Sequence, residues 1–139
     1  MNSVLPNDLH DVEIVATFSE PLEQRLTLML DKLPSGAGFS AAAKLVFEGV
    51  RGHFLEHELR QNVIHELCEQ SLEDIVLDYG WVFELGRHQC WPAGTLGTKS
   101  NEDVLAELSR RGCRAFRIDS SLGLAGFVLA NSIRLERRA

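Results

Sequence analysis

The sequence predicts an α+β fold in which an N-terminal helical bundle packs on a small, mostly antiparallel sheet with one further helix. Apolar residues recur at three- and four-residue spacings through about residues 20–78, as on the buried faces of helices. From residue 79 onwards, aromatic and β-branched residues alternate with polar ones, and glycine and proline interrupt the chain. The length of 139 residues, 45% of them hydrophobic, predicts one domain over residues 1–139.

The chain begins with a short alternating stretch and continues as a predicted helix. Residues 11–18 alternate apolar and polar side chains, which predicts a strand or an extended arm with one buried face. Ser19 is a suitable N-cap, Pro21 suits a first helical turn, and leucines then recur at helical spacing. We therefore predict a helix over residues 20–33, which ends at Pro34.

The stretch from Ala41 to Asp78 is predicted to be helical almost throughout. A single helix of that length would scatter its apolar residues around the whole cylinder, so at least one break is expected. Gly49–Gly52 is one candidate for the break. Ser71 followed by Asp74 matches a capping pattern and predicts a short new helix.

The remaining part, about residues 79–139, is predicted to mix strand and helix. The last segment could be strands or a helix of small residues, and we favour strands. The predicted elements are a strand over Trp81–Leu85, a loop over 86–99, a helix over 101–111 capped by Ser100, a strand over Cys113–Ile118, and a strand followed by a hairpin at Asn131-Ser132 within 122–135.

Charge is distributed unevenly along the chain. Residues 1–86 hold fifteen acidic and five basic residues, whereas residues 87–139 hold five and nine. The net charge of −6 hides this asymmetry. The basic part could lie against the acidic part, or it could offer one face to an acidic partner or to nucleic acid.

The N-terminus lacks a secretory signal, and no apolar run approaches the roughly 20 residues that span a bilayer. We therefore expect a cytoplasmic protein that makes no contact with a membrane. Its three cysteines cannot all pair with one another, so free thiols are expected in that reducing compartment.

The glycine-rich stretch around the two tryptophans predicts a binding site. Trp81, Arg87, His88 and Trp91 lie close together in sequence, and Trp and Arg are common in the centres of protein interfaces. An alternative is that Trp91 fills the core and fixes the loop in place. No cofactor is expected for this hypothesis.

Histidines and cysteines allow a second hypothesis, a small metal-dependent protein or enzyme. His65 and Cys68 would lie one turn apart on a helix, and His88 and Cys90 follow in a loop, so the four could hold a structural zinc ion. His53 and His57, with Glu56, form a His-x-x-Glu-His motif that on a helix could also bind zinc. Core or surface roles explain these residues without a metal ion, and we favour them.

We expect a non-enzymatic protein that binds another protein, as a regulator, inhibitor, immunity protein or adaptor. The grounds are the small size, the acidity, the aromatic loop and the lack of a strong catalytic motif. The many apolar positions also suggest a homo-oligomer. The metal-dependent protein is the second hypothesis, and a nucleic-acid-binding regulator that uses the C-terminal arginines is the third.

Overall fold

The computed structural model describes residues 9–31, 34–35, 38–39 and 43–137. These residues form ten strands and three α-helices. In chain order they are β1 (Glu13–Glu20), β2 (Arg25–Asp31), β3 (Pro34–Ser35), β4 (Gly38–Phe39), β5 (Ala43–Glu48), β6 (Gly52–Glu56), β7 (Val63–Gln70), α1 (Leu72–Asp78), α2 (Gly80–Arg87), α3 (Asn101–Arg110), β8 (Arg114–Leu122), β9 (Ala125–Ala130) and β10 (Ser132–Arg137).

Eight of the described strands form one antiparallel sheet. Its order is β10-β5-β2-β1-β7-β8-β9-β6, and the short strands β3 and β4 pair only with each other. Most neighbours in this order are distant in sequence; β7 and β8, for example, pair over their whole length with all three helices between them. The sheet therefore brings together residues from the entire described chain.

Two bent segments curl this sheet into a cylinder. Strands β5 and β6 are separated only by residues 49–51, and β9 and β10 only by Asn131. The two segments pair with each other on both sides of their bends, with Glu48 opposite Ser132 and Gly52 opposite Leu129. Gly49 has a φ of 66°, and a side chain there would lie 2.8 Å from Cγ of Asn131, so the bend requires glycine.

The cylinder has an opening between β1 and β6. In the described residues β1 pairs with β7 only around Glu13 and Val63, whereas its later residues pair only with β2. Strand β6 pairs only with β9. The free edges of β1 and β6 line the same two cavities, because Ser19 and His53 contribute to both.

The inner core fills the cylinder. It contains alternate residues of the strands, which follows from the two-residue period of a β-strand. Its largest side chains, Phe47 and Phe116, are fully buried with ring centroids 5.8 Å apart. The members of this core are all apolar and come from residues 9–133.

The outer core lies between the three helices and the outer surface of β6, β8 and β9. Strand β9 shows the division, because Phe127 belongs to the outer core and Val128 to the inner core. Phe83 of α2 stacks on Phe127 with ring centroids 5.7 Å apart. None of the helices in the described part of the chain is long and apolar enough to cross a membrane.

The predicted arrangement, an N-terminal helical bundle packed on a small sheet, is wrong, although the chain does combine helices with an antiparallel sheet. The fold is mostly an antiparallel sheet with three short helices. The segment predicted as a helix over 20–33 holds a short 3-10 turn and β2, and the segment from Ala41 to Asp78 holds β5, β6, β7 and only the helix α1. Leu26, Leu28 and Leu30 also alternate, and all three point into the inner core. Pairing of β2 with β1 and β5 decided between the two periodicities.

The predicted strand over Trp81–Leu85 is also wrong, because these residues lie in α2. Val82 and Phe83 are buried against the sheet, whereas Trp81 and Leu85 are exposed. This distribution is that of an amphipathic helix on a surface. Aromatic and β-branched residues favour strands only weakly when tertiary contacts favour a helix.

Several other predicted elements are confirmed. The Ser71 and Ser100 hydroxyls accept hydrogen bonds from the backbone N–H groups of Asp74 and Asp103, both at 3.1 Å, and so cap α1 and α3. The predicted strands near the N-terminus and after Cys113 correspond to β1 and β8. The last segment is two strands as favoured, but the hairpin is wrong, because β9 pairs with β8 and β6 and not with β10.

Candidate functional site

Two surfaces among the described residues have features of a binding site. One is a cavity of about 420 Å³ at the opening between β1 and β6, which we name the Arg51 cavity. The other is the exposed side of α2 that carries Trp81 and Leu85, which we name the Trp81 face. The four residues predicted to form one binding site are divided between these surfaces and the helix ends.

Trp91 connects the Arg51 cavity with the outer core. Its ring lies 5.4 Å from that of Phe83, between centroids, and the residue is half-buried. The ring is held between two glycines, because a β-carbon added at Gly52 would lie 2.6 Å from Nε1 and one added at Gly86 would lie 2.5 Å from Cε3. Replacing Trp91 with alanine would therefore remove core packing as well as part of a cavity wall.

The loop after Trp91 is fixed to the bend of the sheet. The Trp91 N–H donates to the Gly86 carbonyl at 2.9 Å, and the Ala93 N–H donates to the Arg51 carbonyl at 2.7 Å. These bonds tie the end of α2 to the segment between β5 and β6. The backbone of Arg51 is therefore held in place from two sides, since its own N–H donates to the Leu129 carbonyl at 2.8 Å.

Arg87 and His88 lie at the C-terminal end of α2. The Arg87 guanidinium donates to the Lys99 carbonyl at 2.7 Å and lies 3.9 Å from Glu84. His88 is exposed at the helix terminus. Neither lines the Arg51 cavity, so the structure does not bring these two residues to Trp91 in one pocket.

The residues of the zinc hypothesis lie on elements other than those predicted. His65 and Cys68 are on strand β7 and not on a helix, so the expected helix face is wrong. Burial, followed by the charges of Glu66 and Asp119, raises the pKa of the Cys68 thiol and so disfavours a thiolate ligand. Over residues 9–31 and 43–137, no group of three or more His, Cys, Asp or Glu side chains is placed to hold a metal ion.

The His-x-x-Glu-His motif is not helical. His53 and Glu56 belong to β6, and His57 follows it with a φ of 65°. The two histidines therefore do not share a helix face. His53 instead lines the Arg51 cavity, and burial lowers the pKa of its imidazole.

The Arg51 cavity is lined by polar side chains, and no carboxylate is among its described lining residues. Its polar lining residues are Ser19, Gln24, Arg25, Arg51, His53 and Trp91. The Arg51 Nε atom is buried and has no hydrogen-bond partner among the described residues. Arg25 is engaged elsewhere, 3.1 Å from Glu48 and 3.7 Å from Glu20.

A second, smaller cavity of about 210 Å³ adjoins the first. Ser19 and His53 line both. The smaller cavity adds the apolar side chains of Leu26, Leu55 and Leu124, together with the exposed Glu58. The opening of the cylinder therefore combines a basic, polar part with an apolar part.

The Trp81 face is apolar and faces solvent. Trp81 is 56% exposed and Leu85, one helical turn later, is 63% exposed. The Trp81 ring stands edge-on to Phe54 with centroids 5.5 Å apart, which fixes one side of the indole. On the preceding helix Leu77 is 80% exposed.

Several C-terminal arginines pair with carboxylates. Guanidinium nitrogens lie 2.6 Å from Glu69 for Arg114, 3.1 Å from Asp119 for Arg117, and 2.8 Å from Glu48 for Arg134. Two of these three carboxylates come from the acidic first part of the chain. Such pairs would have to open before these arginines could bind the phosphates of a nucleic acid.

Comparisons with protein-family models, with curated proteins and with solved structures each found no match to this chain. Function therefore has to be inferred from the two surfaces alone. The sequence pointed to Trp81 and Trp91 but not to Arg51 or Ser19 as binding residues. The available signal was the glycine pair around Arg51, which was interpreted as a helix break and is in fact the bend of the sheet.

Proposed function

We propose that this chain is a small cytoplasmic, non-enzymatic protein that binds another protein through the Trp81 face, as a regulator, inhibitor or adaptor. The observation that supports the proposal is the exposure of Trp81 and Leu85 side by side on one helix. Large apolar side chains at such exposure lose solvent contact only on association, and tryptophan is prominent in interface hot spots. The contact of Trp81 with Phe54 preorganises the indole, so less entropy is lost on binding.

The partner is expected to present a basic, amphipathic segment. The exposed charged side chains of α1 and α2 are all carboxylates: Glu73, Asp74, Asp78 and Glu84. A lysine- or arginine-flanked apolar helix or strand would complement both the apolar Trp81 face and the carboxylates that these two helices expose. Two copies of this chain meeting through the Trp81 face would oppose like charges, so a predicted homo-oligomer would need a different surface.

Site-specific photocrosslinking in cells tests the proposal. A photoreactive residue at position 85 should capture a partner that the same residue at position 96 does not. Leu96 is a matched control, since it is 81% exposed and lies in the loop before α3. The captured protein is then purified and titrated against the wild-type chain and Trp81→Ala by calorimetry.

We expect Trp81→Ala to weaken that binding at least about tenfold, as is usual for an anchoring tryptophan. Circular dichroism and thermal unfolding should show that the variant remains folded. Equal capture from positions 85 and 96, or an unchanged affinity of Trp81→Ala, would reject the Trp81 face as the contact surface. A captured partner whose binding surface is acidic would reject the charge argument.

A further inference from the structure

We propose that the Arg51 cavity binds a small organic oxyanion, a carboxylate or a phosphate ester, whose apolar part enters the adjoining cavity. This site is distinct from the Trp81 face and does not depend on it. Its basis is the juxtaposition of Arg51, His53, Ser19 and the Trp91 indole at the opening between β1 and β6. The volume of about 420 Å³ lies in the range that holds small-molecule ligands.

The Arg51 cavity holds an unpaired positive charge, although the chain as a whole is acidic. The chain has twenty acidic and fourteen basic residues, yet no Asp or Glu is among the described residues that line the Arg51 cavity. Arg51 is the one cation of this lining without a carboxylate partner among the described residues, since Arg25 faces Glu20 and Glu48 and burial lowers the pKa of His53. An unpaired positive charge on a concave surface that protein encloses attracts ligands of the opposite sign.

The polar groups that line the cavity are mostly hydrogen-bond donors without partners. Within the described residues, the side chains of Ser19, Arg51 and His53 and the indole N–H of Trp91 make no hydrogen bond or ion pair. A guanidinium and an indole N–H can only donate, and a serine hydroxyl can do so. The ligand that satisfies such a set is an acceptor, and an anionic acceptor forms the strongest bonds with arginine.

Arg51 rather than Arg25 is expected to hold the anion. Arg25 already faces Glu20 and Glu48, so a ligand would have to compete with two carboxylates. Arg51 has no carboxylate partner among the described residues, and its buried Nε lacks an acceptor. No carboxylate of the described residues competes for the Arg51 guanidinium, so an oxyanion in the cavity could pair with it directly.

The adjoining cavity fixes the orientation of the ligand. Leu26, Leu55 and Leu124 make it apolar, and the carboxylate of Glu58 stands beside it. An anionic group would be repelled there, whereas an aromatic ring or a short alkyl chain would be accommodated. The oxyanion therefore lies toward Arg51 and the apolar group beyond Ser19 and His53.

Nuclear magnetic resonance of the full chain tests the site with three probes of similar shape: phenyl phosphate, benzoate and the neutral benzyl alcohol. The reporters are the Trp91 indole N–H and the Arg51 Nε–H cross-peaks, assigned by substitution. We expect one or both anions to shift these peaks in a saturable manner, while the alcohol does not. A response to phenyl phosphate alone assigns a phosphate ester, and a response to benzoate alone assigns a carboxylate.

Arg51→Gln should weaken binding of the anion about tenfold or more, as expected for loss of a charge-assisted bond. Arg60→Gln is the matched control, because it removes one exposed arginine outside the cavity and should leave affinity unchanged. If Arg51→Gln does not fold, Ser19→Glu at an exposed position adds a carboxylate to the mouth of the cavity and should weaken binding likewise. Gln61→Glu is its control.

Three results would overturn the proposal. The first is the absence of saturable shifts with either anion. The second is equal binding of benzyl alcohol, which would indicate an apolar pocket without selection for charge. The third is equal weakening by the cavity variants and their controls, which would indicate a general electrostatic effect.

Discussion

The inner and outer hydrophobic cores of this chain differ in how far apart in sequence their residues lie. The inner core takes residues from strands along almost the whole described chain, and it closes only when distant strands have paired. The outer core takes most of its residues from the single stretch between β7 and β8, which packs on a finished sheet surface. The outer core is therefore built mainly from residues that are close in sequence, whereas the sheet depends on pairing between distant segments. The Trp81 face and Trp91 both belong to the stretch between β7 and β8.

The largest expected effects come from removing one phenylalanine from each core. Phe116→Ala in the inner core and Phe83→Ala in the outer core should each cost about 3–5 kcal/mol of unfolding free energy, because both side chains are fully buried. Hydrogen exchange should distinguish them. Phe83→Ala should accelerate exchange mainly in α1–α3, whereas Phe116→Ala should accelerate it throughout the sheet. Uniform acceleration in both variants would show that the two layers unfold as one unit.

Alkaline pH should destabilise the protein through the outer core. Burial raises the pKa of the Cys113 thiol from 9.0 to about 11. Because the folded-state pKa is the higher one, the stabilisation is complete below pH 9 and is lost as pH rises through about 11. The loss is about 2–3 kcal/mol for such a shift.

Urea unfolding across that pH range measures the effect of Cys113, with Cys113→Ala as the control. The control should lose most of the pH dependence. A residual slope is expected from Cys68 and Tyr79, because burial also raises the pKa of each. If Cys113→Ala shows the same dependence of unfolding free energy on pH as the wild type, ionisation of Cys113 is not the cause of the alkaline destabilisation.

The smallest effect concerns the start of α3. Ser100→Ala removes the hydroxyl that accepts from the Asp103 N–H, and it should cost about 1 kcal/mol. Ser109→Ala on the exposed side of the same helix is the control and should be neutral or slightly stabilising. Chemical unfolding of the two variants compares them directly. An equal loss of unfolding free energy in both variants would show that loss of the cap is not the cause.

The part of the chain that forms the outer core was partly predictable, because its helix caps and strand alternation can be read from neighbouring residues. Ser71 and Ser100 lie at the caps that their sequence context indicates, and β8 alternates as predicted. Trp81–Leu85 is helical although its aromatic and β-branched residues also alternate as in a strand, with Trp81, Phe83 and Leu85 against Val82 and Glu84. Contact with Phe127, forty-four residues after Phe83, determines the helix and has no local signal.

The inner core and the Arg51 cavity were less accessible to prediction. Leu26 and Leu30 satisfy helical spacing, while Leu26, Leu28 and Leu30 satisfy strand spacing, and only pairing with β1 and β5 selects the second. Arg51 and Trp91 are forty residues apart and meet because the sheet bends beside Gly52. A site that forms where a bend brings distant segments together has no local sequence motif by which it could be predicted.

The position of Trp91 between two glycines has a consequence for how this sequence can vary. Any side chain at position 52 or 86 would occupy the volume of the indole ring. In homologous chains the three positions should therefore change together: glycine at both where position 91 is tryptophan, and larger residues only where it is small. Such linked substitution would be a signature for recognising distant homologues of this fold from their sequences.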